Sequence, residues 1–353
     1  MDARYVAEQN LLVYAVVGSQ SYGMATADSD TDYKGIFFAP KEAVVSPFFT
    51  MEQVEGFRDN KDSVVYELKK FIRMLVDQNP NILELLWGED RFLLQTSRAY
   101  SFLRSERHRF LSTKCRFTFS GYAFSQLQRI RGHNKWINNP QPKRRPKEVD
   151  FVSVVWNQTT KPELNNQVPF VGYEAYDIGN NIFGLHYTGD SSKMWHDRHE
   201  ALTAKPATEY NGLTRRPFDL IVKFNKDLYK QSVDAWKNYW EWVEHRNPAR
   251  SELEIKFGYD TKHAAHLIRL LRMGKEILLE GEVRVFRPDH EELRAIRNGS
   301  LKYDELGKMA ETLLKEVDEA MERSKLPDTV DIPRAAGIIT DIYEECWKSS
   351  SMK

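Results

Sequence analysis

The stretch Val16-Val17-Gly18-Ser19-Gln20-Ser21-Tyr22-Gly23, followed after four residues by Asp28-Ser29-Asp30-Thr31-Asp32-Tyr33-Lys34-Gly35, decides how this chain is read. The apolar run Leu11 to Val17 has the length of a strand and ends at a Gly-Ser pair. A second apolar run, Gly35 to Ala39, follows the aspartates. Side chains alternate along an extended strand, so Asp30 and Asp32 point to one side. Two close carboxylates repel unless a cation neutralises them. The Gly-Ser segment offers backbone N–H groups and a hydroxyl to phosphate oxygens, and glycine permits an approach that a Cβ would block. A short helix between the two strands would bring the two halves together. Taken singly, a Gly-Ser pair is an ordinary turn and Asp-x-Asp an ordinary polar loop; in this order and spacing they describe a metal and phosphate site.

Gly18-Ser19, Gly23 and Ser29-Asp30-Thr31-Asp32 resemble the signature of the polymerase-β-like nucleotidyltransferase superfamily. The longer string through Lys34-Gly35, with Tyr66-Glu67-Leu68-Lys69-Lys70-Phe71 and Asn79-Pro80-Asn81-Ile82-Leu83-Glu84-Leu85-Leu86, is similar to its RNA-ligase-associated, RNA-repair-like branch. The resemblance is specific over residues 1–90 and looser over 117–136 and 259–307. It implies a small mixed β-sheet core flanked by helices; with a mainly helical C-terminal part and a β-rich insertion read from the residue pattern below, the insertion having no counterpart in the family, the expected fold class is α+β. The resemblance also implies transfer of a nucleotidyl group from a nucleoside triphosphate, with release of pyrophosphate and dependence on Mg2+ or Mn2+. Asp30 and Asp32 would hold the metals. Gly18 and Ser19, with Ser21, Tyr22 and Lys34 nearby, would contact the nucleotide.

A third carboxylate on a neighbouring strand completes that mechanism, holding the metal and taking the acceptor's proton. Asp62-Ser63-Val64-Val65-Tyr66-Glu67 reads as a β-branched strand running into a helix, and offers Asp62 and Glu67 on opposite faces. Glu67 is favoured because a junction side chain can reach over the sheet edge. Its competing reading is a helix-start acid, and that of Asp62 a polar strand entry.

Composition narrows the remaining possibilities. At 353 residues the chain is long enough for two or three compact units. Lysine plus arginine and aspartate plus glutamate stand at 51 each, so no global field draws it to nucleic acid, and any contact with RNA must come from local patches. Cys115 and Cys346 match neither a disulfide framework nor a zinc pattern, which suits a reducing cytoplasm. No run approaches the ~18 apolar residues of a membrane span, and no basic segment followed by an apolar one opens the chain. The expectation is a soluble, unprocessed protein.

Hydrophobic periodicity predicts helices over Leu68 to Val76, Ile82 to Trp87 with a break at Asn79-Pro80-Asn81, and within Ser97 to Gly132. Lys135 to Asp150, with three prolines among Lys143, Arg144, Arg145 and Lys147, reads as a linker. Phe151 to Trp156, Tyr173 to Ile178 and Asn181 to Tyr187 read as short strands. Helices return over Ser232 to Arg246, Thr261 to Glu280 and Leu306 to Ser324, with Pro217 to Lys230 ambiguous. The expected organisation is a catalytic core over 1–95, a helical segment and linker over 96–150, a β-rich insertion over 151–215, and a helical domain over 216–353 that closes the cleft.

Three further groups carry charge or metal-binding types. Lys262, His266 and Arg269 fall at i, i+4 and i+7 on one helix face, where stacked cations call for an anion such as a triphosphate. Arg129, Arg131, His133, Lys135 and Trp136 interleave basic groups with a stacking plane, the best candidate for a nucleic-acid contact. His196 and His199 lie beside acids, but no further zinc ligand follows at a customary spacing. Trp236 and Trp240 read as packing aromatics. The favoured acceptor is an RNA end. The alternatives are nucleotidylation of a protein or small molecule, and an inactive nucleotide-binding module.

Overall fold

The computed structural model describes residues 2–27, 29–157, 172–190, 204–206, 218–245 and 248–350. The chain divides into two compact units: residues 1–137 with 249–353, and residues 138–248. The fold is α+β, with a mixed sheet in each unit.

In the first unit, α1 (Ala3–Gln9) leads into β1 (Leu11–Val17) and β2 (Asp32–Phe37). After α2 (Lys41–Val45) come β3 (Gln53–Glu55), β4 (Ser63–Glu67), α3 (Leu68–Val76), α4 (Pro80–Trp87), β5 (Leu93–Thr96), α5 (Arg98–Ser105) and α6 (Cys115–Asn138). Strand order is β3-β4-β2-β1-β5. β1 and β2 pair antiparallel with Val17 opposite Asp32, whereas β2 and β4 run parallel with Tyr33 opposite Ser63 and Phe37 opposite Glu67. Period-two alternation then puts Ala15, Val17, Asp32, Lys34, Ile36, Asp62 and Val64 on one face and Tyr14, Tyr33, Phe37 and Val65 on the other. The first face belongs to the large core with α3, α4 and α9 (Thr261–Glu280); the second is a smaller core beneath α1.

The helix after the break starts two residues earlier than the sequence suggests, at Pro80 rather than Ile82. Asn79 Oδ1 accepts from the Asn81 amide, and Pro80 begins α4, where its missing N–H costs nothing. α9 has the bounds that its periodicity predicts, capped by Asp260 and ended by Gly281 in the left-handed region. Leu267, Ile268, Leu270 and Leu271 are buried; each contributes about 1.5–3 kcal/mol by leaving water. α10 (His290–Arg297) and α11 (Tyr303–Arg323) pack on α9, and α12 (Ile332–Ser350) packs on α3 and α5.

In the second unit, β6 (Val152–Asn157), β7 (Tyr173–Gly179), β8 (Ile182–Tyr187), β9 (Lys205–Pro206) and β10 (Leu220–Phe224) form a sheet of order β6-β10-β8-β7-β9, followed by α7 (Lys226–Glu244). The three strands expected here are present, and the ambiguous 217–230 segment is a strand and then a helix start. Both Trp236 and Trp240 donate their indole N–H to the Pro142 carbonyl, at 2.9 and 3.2 Å, so α7 fixes part of the proline-rich segment. α8 (Pro248–Phe257) carries the chain back into the first unit. Residues 216–353 are therefore divided between the two units. His196 and His199 lie outside the described residues.

Candidate active site

The segment after β1 is one hydrogen-bonded turn rather than the expected helix. The Tyr22 amide bonds the Gly18 carbonyl at 3.1 Å and the Met24 amide bonds the Ser19 carbonyl at 2.9 Å. Gly18 stands at φ +70°, and a Cβ there would lie 2.3 Å from Asp32 Oδ2. Glycine is therefore required twice over, for its backbone conformation and for the carboxylate pressed against it. The Ser21 hydroxyl is buried and donates to the Gly18 carbonyl at 2.9 Å. That corrects its expected nucleotide contact: Ser21 closes the turn. Ser19 stays partly exposed at the rim.

Asp32 opens β2 at this end of the sheet and Asp30 precedes it on the exposed connection. The parallel register sets Asp62 beside Asp32 on the same face, since the Tyr33 amide bonds the Asp62 carbonyl at 2.9 Å. Burial raises the Asp32 carboxyl pKa above its usual value; Asp62 and Asp30 push the same way, while Lys262 and Lys34 oppose. Lys34 reaches from the same face and donates to the Asn81 carbonyl at 3.2 Å; burial lowers its pKa. Asp30, Asp32 and Asp62, on two adjacent strands and their lead-in, are oxygen donors of the type that suits a hard ion such as Mg2+ or Mn2+; their carboxylate oxygens do not all lie within 4.8 Å of one another, so holding one ion would require them to draw together.

Glu67 does not join them. It sits at the opposite end of β4, five residues or about 16 Å along the strand from Asp62. It is 3% exposed, caps α3 by accepting from the Lys69 amide at 2.8 Å, and accepts from the Ala39 amide at 3.3 Å and the Tyr343 hydroxyl. Burial raises its pKa despite these bonds. The helix-start reading of Glu67 is thus the observed one, and the reach over the sheet edge that favoured it is taken up by α12.

The cationic face of α9 divides along its length. Lys262 is exposed and acts on Asp32. His266 stands edge-on to Tyr22, 6.4 Å between ring centres, and its pKa is held well below the usual value by burial and then by Arg269. Arg269, 1% exposed, pairs with Glu84 of α4 and lies 3.8 Å over the Tyr22 ring, while the Tyr22 hydroxyl donates to Glu84. The anion expected to answer Arg269 is therefore inside the protein. Tyr22 and Arg269 anchor the turn and do not face a nucleotide, which corrects both expected contacts. The sequence signal for this pairing was a lone glutamate among Ile82, Leu83, Leu85 and Leu86.

Sequence reasoning missed two arginines of α10. Arg294 donates to the Gly23 carbonyl, and Arg297 to the Met24 carbonyl at 3.0 Å and the Ser29 hydroxyl at 3.3 Å. They hold the loop between the glycine turn and the aspartates, and nothing in local spacing marks them. Gly23 at φ +75° lets this loop pass the Phe286 ring, which a Cβ would meet at 2.7 Å. On α6, Arg129, Arg131 and Lys135 are exposed, but His133 stacks on Trp136 at 5.9 Å and faces Glu254 and Asp260. His133 therefore faces two buried acids rather than the expected basic surface, with the half-buried Trp136 ring stacked on it.

The glycine turn and the aspartates across it fall within the segment that matches a known family. Residues 3–141 match the RNA repair pathway DNA polymerase beta family. This polymerase beta match covers the first sheet, α1 to α6 and all three grouped aspartates; α9 and α10, which complete their surroundings, lie beyond it. Over 128 residues the chain is 26% identical to an uncharacterized 38.9 kDa protein of the nrdC–mobD intergenic region of Enterobacteria phage T4. That stretch covers 33% of this chain and 38% of the phage protein, so well under half of the relative is spanned. No solved structure matches the chain. Among the described residues no helix is long and apolar enough to cross a membrane.

Proposed function

We propose that the protein is a nucleotidyltransferase that moves a nucleoside monophosphate from a nucleoside triphosphate to a hydroxyl on an RNA end, in a cytoplasmic setting. The observation that carries this reading is Asp32 pressed against the Gly18 turn, with Asp62 beside it on the next strand and Asp30, Lys34 and Lys262 near enough to act on its charge. Backbone N–H groups of Gly18 and Ser19 would bind the terminal phosphates, and Lys262 and Lys34 would offset their charge. Asp62 accepts the proton of the attacking hydroxyl. The acceptor oxygen bonds to the α-phosphorus as the bond to the bridging α–β oxygen breaks, and pyrophosphate leaves. Asp30, Asp32 and Asp62 would hold Mg2+ or Mn2+, which when bound would supply charge neutralisation for the triphosphate. His266, kept neutral by its burial, adds a polar wall near the turn without further charge. The RNA acceptor is supported by the family description and by exposed Arg129, Arg131 and Lys135.

The test is incubation of the purified chain with each α-labelled triphosphate, Mg2+ or Mn2+, and RNA bearing a free 3′ hydroxyl, scoring label on RNA and pyrophosphate released. Label on RNA that falls steeply with salt and is abolished by Asp32→Asn is the expected result. Label that appears only on protein or a small hydroxyl, insensitive to salt, overturns the RNA acceptor. No pyrophosphate release with any triphosphate overturns the transferase reading.

A further inference from the structure

Away from the aspartates, three helices bring a second group of ligand-type atoms together. His133 comes from α6, Glu254 from α8, and Asp260 from the N-cap of α9. His133 Nδ1 lies 3.9 Å from Glu254 Oε1 and 3.8 Å from Asp260 Oδ2, and one ligand atom from each of the three residues falls within 4.8 Å of the other two. Both carboxylates are buried, Glu254 at 2% and Asp260 at 0% exposure. Around a tetrahedral Zn2+ with bonds near 2.1 Å, ligand atoms stand roughly 3.4 Å apart. The two His133 distances need to close by about half an ångström to reach that spacing, and the Glu254–Asp260 pair, within 4.8 Å, closes as the carboxylates draw in.

The surroundings are those of a metal ligand shell. His263 flanks Asp260, its Nε2 3.4 Å from Asp260 Oδ2, while its Nδ1 lies 2.6 Å from Gln126 Oε1. With the Gln126 oxygen accepting from Nδ1–H, a neutral ring turns an unprotonated Nε2 lone pair toward the Asp260 carboxylate, an opposition that a protonated ring or a cation near the two atoms relieves. Asp260 uses its other oxygen to cap α9 through the His263 amide at 3.0 Å, which fixes the carboxylate plane. A mixed imidazole and carboxylate set excludes soft thiophilic ions and suits a divalent first-row transition ion.

We propose that His133, Glu254 and Asp260 bind one such ion, with Zn2+ as the representative, separate from the ions of the aspartate site. The ion ties α6 and α8 to the first turn of α9, the turn that carries Lys262. It acts as a cross-link of the helical part of the first unit.

The experiment uses the full chain, dialysed against Zn2+ in excess Mg2+, passed through a desalting column, and assayed for metal by mass spectrometry and for thermal unfolding. One equivalent of zinc retained, with a raised Tm, is expected, since an ion bound only by the folded state stabilises it. His133→Gln and Glu254→Gln should each reduce zinc affinity at least about tenfold, with the far-UV circular dichroism preserved, while Asp32→Asn keeps both the zinc and the Tm rise. Less than a tenth of an equivalent in the wild-type chain, retention by both variants, or loss with Asp32→Asn overturns the proposal. Should both variants fail to fold, the Asp32→Asn protein decides: a preserved zinc-dependent rise in Tm supports the site, and its absence overturns it.

Discussion

The two ends of β4 carry the same functional group and use it in opposite ways. At the entry, Asp62 lies beside Asp32, with Asp30 and two lysines near and the glycine turn across from it, and burial first, then the neighbouring acids, raises the Asp32 carboxyl pKa. At the exit, Glu67 is wrapped by two backbone amides and the Tyr343 hydroxyl. On the proposed reading the entry takes up a ligand, whereas the exit is already satisfied by the protein itself. A carboxylate's role is thus set by which end of the strand it occupies, because only one end is left open by the helices packed there.

Substitution at each end separates the two roles. Asp62→Asn should lower kcat/KM at least about a thousandfold, the equivalent of several kcal/mol of lost charge stabilisation, with little change in Tm. Glu67→Gln should leave kcat/KM within about threefold but cost about 1–2 kcal/mol of stability, through weakened buried hydrogen bonds. Denaturant titration beside a pyrophosphate-release assay reads both. The reverse pattern, activity lost with Glu67→Gln and kept with Asp62→Asn, would break the comparison.

Arg269 sharpens it by showing an internal charge that resembles a site residue. Arg269→Met leaves Glu84 buried without its cation and should destabilise by about 3–5 kcal/mol. Adding Glu84→Gln should recover part of that loss, as a double-mutant cycle by denaturant unfolding would reveal. If the single variant unfolds at the wild-type midpoint yet loses triphosphate affinity, Arg269 faces the nucleotide after all.

The smallest expected effect concerns His266. Its folded pKa lies below that of the unfolded chain, so on acidification the unfolded state takes up the proton first. Stability is then lost as pH falls below about 6.5, with a slope of up to ~1.4 kcal/mol per pH unit. His266→Gln should remove that portion of the slope, measured as the difference between the two proteins at pH 5 to 7. An unchanged slope would mean that the imidazole is solvated.

The two strands that flank the site were legible because Gly18, Asp30 and Asp32 are close in sequence and each has a conformational or charge requirement visible without context, whereas the link between them, expected as a helix, is a turn. α3, α9 and α11 were legible from apolar spacing. Which of Asp62 and Glu67 stands with the aspartates was not, since that follows from the parallel register of β2 and β4, a pairing between distant segments. Arg269 misled for a related reason: a cationic helix face shows that an anion is needed, but whether the anion is a ligand or Glu84 depends on how α4 and α9 pack. Arg294 and Arg297 bond backbone carbonyls, which carry no side-chain identity in the sequence, so their partners could not be named.

Those two arginines have a consequence for how the site comes into being during synthesis. The loop carbonyls at Gly23 and Met24 are separated from Arg294 and Arg297 by 271 and 273 residues. At about 5–20 residues per second, a ribosome needs roughly 15–50 s to travel that distance. Through that interval the aspartate loop exists on the nascent chain without its clasp, and residues 138–248, a compact unit of their own, are made in between. A fragment ending at the matched boundary, residue 141, would carry all three aspartates yet never receive the clasp. Translation itself thus sets the earliest moment at which a chain holding every acidic group of its site can become an assembled one.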